Sequence, residues 1–176
     1  MLGFLIVRLR SFVVWTKMSE SPVIREAYAH EAGLLSALAL RSKAHWGYSS
    51  DFLESCRNEL TVDESRIGSE DYRCFVVIEP NSILGFYALE YVSEDVYELD
   101  ALFVEPAHIG TGIGRLLIQH ALHMLSKRGA ARLIIQGDPN ATKFYRATGA
   151  RQIGTRESDS IPGRYLPLYE IEIDHV

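Results

Sequence analysis

The sequence predicts a mixed α/β domain built on a central, mostly antiparallel sheet. Three strand-like segments follow one another at residues 72–79, 83–92 and 96–104, with turn signals between them. A glycine-rich loop over residues 110–114 then leads into an amphipathic helix, and a further strand follows at residues 132–136. Consecutive hairpin strands followed by one strand–helix–strand unit predict a mixed sheet with helices packed against it.

The remaining elements are predicted from apolar periodicity, capping residues and glycine stops. They are a strand at residues 23–27, helices at 29–42 and 51–60, the loop-following helix through Lys127, a short helix at 140–148, and closing strands at 151–156 and 165–173. Strict alternation in the strand at residues 96–104 predicts two faces. One carries Tyr97, Leu99, Ala101 and Phe103, and the other carries Glu98, Asp100, Leu102 and Val104.

Composition indicates one globular domain, since the 176 residues are 47% hydrophobic and 23% charged. The net charge of −5, without a basic run, argues against a nucleic-acid-binding surface. It is compatible with an anionic cofactor, because backbone N–H groups can hold phosphate. Two cysteines, Cys56 and Cys74, form neither a zinc pattern nor a disulfide framework. We therefore expect buried, reduced thiols in a cytoplasmic protein.

The first 17 residues differ from the rest of the chain. Arg8 and Arg10 interrupt their apolar run, which falls short of the roughly 18 residues that a membrane span needs. We expect residues 1–17 to be a dispensable extension, residues 18–176 to form the domain, and no membrane association. A helix lying on a membrane surface is the alternative, because arginines beside aromatic residues suit an interface.

The glycine loop indicates a phosphate site. Gly110, Gly112 and Gly114 lie between a strand and a helix, where the backbone can approach a ligand and the helix N-terminus favours an anion. A Walker loop needs Lys after its last glycine, and a dinucleotide loop needs glycine at the position of Arg115. The loop alone leaves the ligand open, and a purely structural turn is an alternative.

Two motifs in this order and spacing resemble the GNAT acetyltransferase superfamily (general-control-related N-acetyltransferases). The first runs over residues 102–106 and 109–117 (LFVEP and IGTGIGRLL), and the second over residues 140–150 (NATKFYRATGA). The likeness extends over residues 23–173. The family usually has Arg or Gln where Ile109 stands and a large apolar residue where Ala150 stands. Since the Ile109 backbone N–H makes the phosphate contact in the family, we expect binding to survive the first departure.

The resemblance implies a GNAT fold, with a six- to seven-stranded, mostly antiparallel sheet, helices on both faces and a splay between two parallel strands. It implies acetyl-coenzyme A (acetyl-CoA) as co-substrate and no metal. The pantetheine arm would pair with the freed strand, and a backbone N–H of Leu102 or Phe103 would polarise the thioester carbonyl. The implied cofactor-binding residues are Leu102, Phe103, Val104, Ile109, Gly110, Thr111, Gly112, Ile113, Gly114, Arg115, Asn140 and Tyr145.

The resemblance also implies a role in the chemistry at the splay for three residues: Glu98, Tyr145 and Asn140. An amine with a pKa near 10.4 must lose a proton to attack, so a general base is expected. The resemblance implies Glu98 as that base, with Asp100 in reserve and in contact with the substrate. It implies that Tyr145 protonates the leaving thiolate and that Asn140 contacts the pantetheine arm. The structural alternatives are a solvated strand carboxylate, a core aromatic residue and a helix N-cap.

Other polar and aromatic residues complete the expectations. His45, Trp46 and Tyr48 lie where the family lines its acceptor pocket, and hydrophobic packing is their alternative. His120 and His123 stand three residues apart on a predicted helix without a third ligand nearby, so we expect a solvated face rather than a metal site.

The sequence therefore predicts transfer of an acetyl or other short acyl group from acetyl-CoA to a primary amine of a small molecule or peptide. A non-catalytic acyl-CoA sensor or interaction domain is the alternative from another class, and an O-acyltransferase shares every motif. The identity of the acceptor and the choice between monomer and homodimer stay open.

Overall fold

The computed structural model describes residues 22–80 and 82–174, and the predicted extension over residues 1–17 lies outside them. Seven strands form one sheet: β1 (Val23–Glu26), β2 (Tyr72–Glu79), β3 (Ser82–Ser93), β4 (Val96–Val104), β5 (Arg132–Gln136), β6 (Arg151–Glu157) and β7 (Tyr165–Glu172). The helices are α1 (Ala32–Ala44), α2 (Ser50–Ser55), α3 (Ile113–Ser126) and α4 (Thr142–Ala147). The strand order is β1-β2-β3-β4-β5-β7-β6.

The sheet confirms the predicted mixture of strand directions. β1 to β4 pair antiparallel in sequence order, and β7 pairs antiparallel with both β5 and β6. β4 and β5 run parallel, joined through α3 as a strand–helix–strand unit. The bounds predicted for β2, β4 and β5 agree with the structure, because turn residues flank each apolar run.

A splay opens between the parallel strands. β4 and β5 pair from Val96 opposite Arg132 to Leu99 opposite Ile135, and their register ends there. β4 nevertheless continues to Val104, paired on its other side with Gly85 of β3. From Asp100 onward, one edge of β4 therefore lies beyond the paired region, which is the fork that the resemblance implied.

Strict alternation along β4 is a wrong prediction, because a bulge interrupts it. Leu99 pairs with Leu89 and Ala101 with Ala88, so Asp100 is an extra residue on the β4 side. The bulge places Leu99 and Val104 together in the core beneath α3. Ala101 instead packs against the core beneath α1.

Helices cover both faces of the sheet. α3 buries Leu117, Ile118 and Leu125 completely against one face, and α1 buries Leu35 and Ala39 against the other. α3 ends at a glycine as predicted, since Gly129 has φ +77° and its N–H bonds the Ser126 carbonyl. α2 is shorter than predicted and gives way to turns after Ser55.

His120 does not lie on a solvated face, which corrects the sequence prediction. Its Nδ1 is 2.7 Å from the Tyr87 hydroxyl, and its ring packs against Phe75 with centroids 5.1 Å apart. Burial lowers the pKa of His120. His123, one turn along α3, is exposed. Within residues 22–80 and 82–174, no helix is long and apolar enough to cross a membrane.

Candidate active site

A large cleft follows the fork between β4 and β5. Its volume is about 1640 Å³, enough for a ligand longer than the usual small-molecule occupant. Leu102, Phe103 and Val104 line it on the β4 side. Because the β4 edge beyond Leu99 is not paired with β5, a polar chain lying in the fork could add to the sheet by backbone hydrogen bonds.

The glycine loop closes one end of this cleft with free backbone donors. Gly110 and Gly112 have φ +83° and +101°, conformations that strain residues with a side chain. Among the described residues, the first backbone hydrogen bond that enters α3 is donated by Leu116 to the Gly112 carbonyl, at 3.0 Å. The N–H groups of residues 113–115 precede it and carry the positive end of the helix dipole. This end of the cleft suits a phosphate group.

The predicted loop residues divide into two sets. Those that line the cleft are Ile109, Gly110, Gly112, Gly114 and Arg115. Thr111 and Ile113 are not among the lining residues. The Thr111 hydroxyl bonds the His108 carbonyl at 2.8 Å, and Ile113 is buried in the core. A Cβ on Gly114 would lie 3.2 Å from the Phe144 ring, so this glycine lets α3 and α4 pack closely.

Glu98 and Asp100 flank the point where the strands part, and both line the cleft. Glu98 forms an ion pair with Arg156 of β6 at 2.5 Å. Glu90 stands opposite Glu98 on β3 and pairs with Arg66 at 2.8 Å. Each arginine therefore offsets one of two like charges that stand directly opposite each other on neighbouring strands.

Asp100 has a different environment from Glu98. It accepts a hydrogen bond of 2.9 Å from the Tyr72 hydroxyl. Burial raises the pKa of Asp100, while the Tyr72 hydrogen bond and the nearby Arg66 oppose the shift. The side chain still faces the cleft and is exposed there, with protein around its other sides. A carboxylate with a raised pKa is a stronger base than an ordinary one.

Tyr145 lies across the fork from the two carboxylates, on the α3 side of the sheet. It is 7% exposed and lines the cleft. A Cβ on Gly137, just after β5, would stand 2.8 Å from the Tyr145 ring, so only glycine leaves room for the ring there. Burial and then the charge of Asp138 raise the pKa of Tyr145. Its hydroxyl is consequently protonated at neutral pH and available as a hydrogen-bond donor.

A buried polar network beside the fork was missed by sequence reasoning. The Lys43 ammonium lies 2.9 Å from Asp138, and the two side chains are only 9% and 13% exposed. Asp138 also accepts hydrogen bonds from the Tyr48 hydroxyl and the Asn140 backbone N–H. Burial would raise the pKa of Asp138, but the hydrogen bond and charge of Lys43 lower it overall. Asp138 followed by Pro139 is a helix-start signal that could have drawn attention to this position.

The residues predicted to contact the acceptor are not brought together. Trp46 lines the cleft, whereas His45 and Tyr48 are not among its lining residues. The Tyr48 hydroxyl instead bonds Asp138 and Asn140. Asn140 lines the cleft, and Asp138 rather than Asn140 caps the helical turn that follows.

The described part of the chain contains no group of three His, Cys, Asp or Glu side chains arranged to hold a metal ion.

Fold and cleft together define a domain whose cleft, between two parting strands, has the shape for a long ligand with a phosphate group at one end. Comparisons with known proteins then identify the family. Residues 39–150 match the acetyltransferase (GNAT) family. A stretch of 73 residues is 33% identical to the peptidyl-lysine N-acetyltransferase YjaB of Escherichia coli (strain K12), covering 42% of this chain and 48% of that protein. The chain thus spans about half the length of the curated relatives it matches.

Solved structures agree on the fold. The PaiA N-acetyltransferase of Thermoplasma acidophilum, in complex with coenzyme A, superposes with a TM-score of 0.68 at 20% identity, covering 87% of this chain and 99% of that one. The ribosomal-protein-S18-alanine N-acetyltransferase of Escherichia coli gives 0.63 at 20% identity, covering 89% and 96%. The chain belongs to the GNAT acetyltransferase family.

Proposed function

We propose that this protein transfers an acetyl group from acetyl-CoA to a primary amine. The observation that carries the proposal is the fork after Leu99 and Ile135, which leads from the glycine loop to two carboxylates and a tyrosine. Such a fork can hold an extended ligand by its backbone, with a phosphate group at one end and a reactive group at the other. When bound, acetyl-CoA supplies the activated acyl group as a thioester.

The loop and the free edge of β4 would position that donor. The N–H groups of residues 113–115 would hold its diphosphate, because they precede the first hydrogen-bonded turn of α3. A backbone N–H of Leu102 or Phe103 would polarise the thioester carbonyl, and preorganised donors of this kind usually give the largest catalytic contribution. Asn140 would contact the pantetheine arm from the opposite wall of the cleft.

Glu98 is proposed as the general base, with Asp100 as the reserve. Both line the cleft beside the fork, where an attacking amine would have to release its proton. The ion pair with Arg156 engages one oxygen of Glu98 and leaves the other without that partner. Asp100 has no such ion pair among the described residues, and its raised pKa makes it the competing candidate.

Tyr145 is proposed as the proton donor to the leaving thiolate. Its raised pKa keeps the hydroxyl protonated throughout the usual assay range, so the residue can donate a hydrogen bond to the developing thiolate, although the same shift makes it a weaker acid than an ordinary tyrosine. Its position beside Gly137 places the ring on the opposite side of the fork from the carboxylates. Acid and base would thus work on opposite faces of the sheet.

Acceptor and location are proposed only by class. A lysine side chain of a peptide is one candidate acceptor, because the relative in Escherichia coli is named as a peptidyl-lysine acetyltransferase. A small-molecule amine is the other. A cytoplasmic location is supported by Cys56 and Cys74, which are buried free thiols.

Non-catalytic acyl-CoA binding is the second candidate function. The specific observation in its favour is the Glu98–Arg156 ion pair, which engages the proposed base. Binding of acetyl-CoA without turnover on any amine would support this candidate.

An acceptor screen that follows thiol release from acetyl-CoA tests the proposal. With the best amine, Glu98→Gln should lower kcat/KM at pH 7 by about 100-fold or more, and Asp100→Asn by much less. The Glu98→Gln loss should shrink as pH rises, because more of the amine is already neutral. The reverse ranking of the two variants would assign the base to Asp100.

A further inference from the structure

Tyr48 occupies a junction between three segments that are far apart in the sequence. It follows Gly47, whose φ of +79° turns the chain after α1. Its ring stacks on Phe52 of α2, with centroids 4.3 Å apart and planes inclined by 13°. Ser49 caps α2 by accepting a hydrogen bond from the Phe52 N–H. The first turn of α2 therefore fixes the direction of the Tyr48 ring.

All the hydrogen-bonding capacity of the Tyr48 hydroxyl is used within the protein. It donates to Asp138 at 3.0 Å. It accepts from Asn140 Nδ2 at 3.0 Å and from Arg164 Nη2 at 3.2 Å. A tyrosine hydroxyl has one donor and two acceptor sites, so a direct contact with an acceptor substrate would require breaking one of these bonds.

Asn140 is the partner of Tyr48 that lines the cleft. It follows the end of β5. One N–H of its amide is held by Tyr48, and its backbone N–H is held by Asp138 at 2.9 Å. Among the described residues, the side-chain carbonyl and the second N–H of Asn140 have no hydrogen-bond partner. These are the atoms that a pantetheine amide could bond.

We propose that Tyr48 is a positioning residue that holds the Asn140 amide toward the cleft and thereby raises the affinity for acetyl-CoA. The inference rests on the proposed function, in which Asn140 contacts the pantetheine arm. Tyr48 would act without touching either substrate. Asp138 is itself held in place at this junction, because Lys43 and Arg164 both place positive charge beside it.

Calorimetric titration of the full chain with acetyl-CoA tests this role. Tyr48→Phe keeps the ring on Phe52 and removes only the hydroxyl, so the affinity should fall by about threefold to tenfold, the value of one ordinary hydrogen bond. Asn140→Ala should lose at least as much. The double variant should bind no more weakly than Asn140→Ala alone, because Tyr48 acts through Asn140. In the thiol-release assay, the KM for acetyl-CoA should rise with kcat nearly unchanged.

The matched control is Tyr87→Phe, which also removes one hydroxyl, bonded to His120 away from the cleft. It should bind acetyl-CoA like the wild type, whatever its melting temperature. Wild-type affinity in Tyr48→Phe, or losses that add in the double variant, would overturn the positioning role. Unchanged affinity in Asn140→Ala would overturn it as well, while leaving acetyl-CoA binding itself intact. A wild-type protein that does not bind acetyl-CoA would instead overturn the proposed function together with this inference.

Discussion

Removing the charge of Asp138 from the Lys43–Asp138 pair should destabilise the fold more than removing the charge of Lys43. Asp138→Asn keeps the shape of the side chain but leaves the Lys43 ammonium, only 9% exposed, without its carboxylate. Breaking a buried ion pair from one side costs about 3–5 kcal/mol, and the lower end applies because the asparagine oxygen can still accept a hydrogen bond. Lys43→Met should cost less, about 1–2 kcal/mol. The reason is that Asp138 keeps the Tyr48 hydroxyl, the Asn140 N–H and the nearby Arg164.

Urea unfolding followed by circular dichroism measures these differences. A loss of about 3 kcal/mol corresponds to a fall in melting temperature of roughly 6–12 °C for a chain of this size. The double variant, Lys43→Met with Asp138→Asn, should be more stable than Asp138→Asn alone, because the Lys43 charge that Asp138→Asn leaves unpaired is also removed. A cost below about 1 kcal/mol for Asp138→Asn, or a loss in the double variant equal to the sum of both single losses, would show that Lys43 and Asp138 do not stabilise the fold as a buried pair.

Four further predictions concern acid stability and the cleft. Because the folded pKa of Asp138 lies below its unfolded value of 3.8, its stabilisation is present above that value and lost as the pH falls below it, so acid unfolding of Asp138→Asn should be less steep. Gly112→Asp should abolish acetyl-CoA binding, whereas Gly112→Ala, which shares the strain of φ +101°, should retain part of it. Equal affinities of these two variants by calorimetry would show that the phosphate does not bind at this loop. Gly137→Ala should lower kcat, because its Cβ would stand 2.8 Å from the Tyr145 ring; normal kinetics would show that the ring position is not critical. Tyr145→Phe should lower kcat by about 100-fold with little change in acetyl-CoA affinity, and a loss of affinity instead would make Tyr145 a wall of the cleft.

Local patterns were sufficient to predict most of the sheet. Apolar runs bounded by turn residues gave the limits of β2, β4 and β5, because the physical causes lie within a few neighbouring residues. The glycine loop also followed from local chemistry, since Gly110 and Gly112 adopt the positive φ that favours glycine. The splay came from the family resemblance, and the end of the β4–β5 register after Leu99 confirms it.

The bulge at Asp100 could not be predicted in this way. Period-two alternation assumes one residue opposite one, and nothing local in the sequence marks where β3 supplies one partner fewer. The bulge decides which side chains face each core, so the predicted faces of β4 were wrong beyond Leu99. It also brings Asp100 within reach of Tyr72.

The polar network beside the fork depends on contacts that are distant in sequence. Tyr48 meets Asp138 across 90 positions and Arg164 across 116. A single sequence contains no record of such pairs, so Lys43 and Asp138 looked like ordinary charged residues. His120 of α3 was misjudged for the same reason, because its partner Tyr87 lies 33 positions away on β3.

Product analysis tests directly whether the protein transfers an acetyl group to an amine. The protein is incubated with acetyl-CoA and a panel of small amines and lysine peptides, and mass spectrometry of the amine is combined with measurement of released thiol. If the protein is an acetyltransferase, at least one amine gains a single acetyl group in a one-to-one ratio with thiol, and Gly112→Asp shows neither product. Tight binding of acetyl-CoA without acetylation of any amine in the panel would contradict acetyl transfer and favour a binding domain.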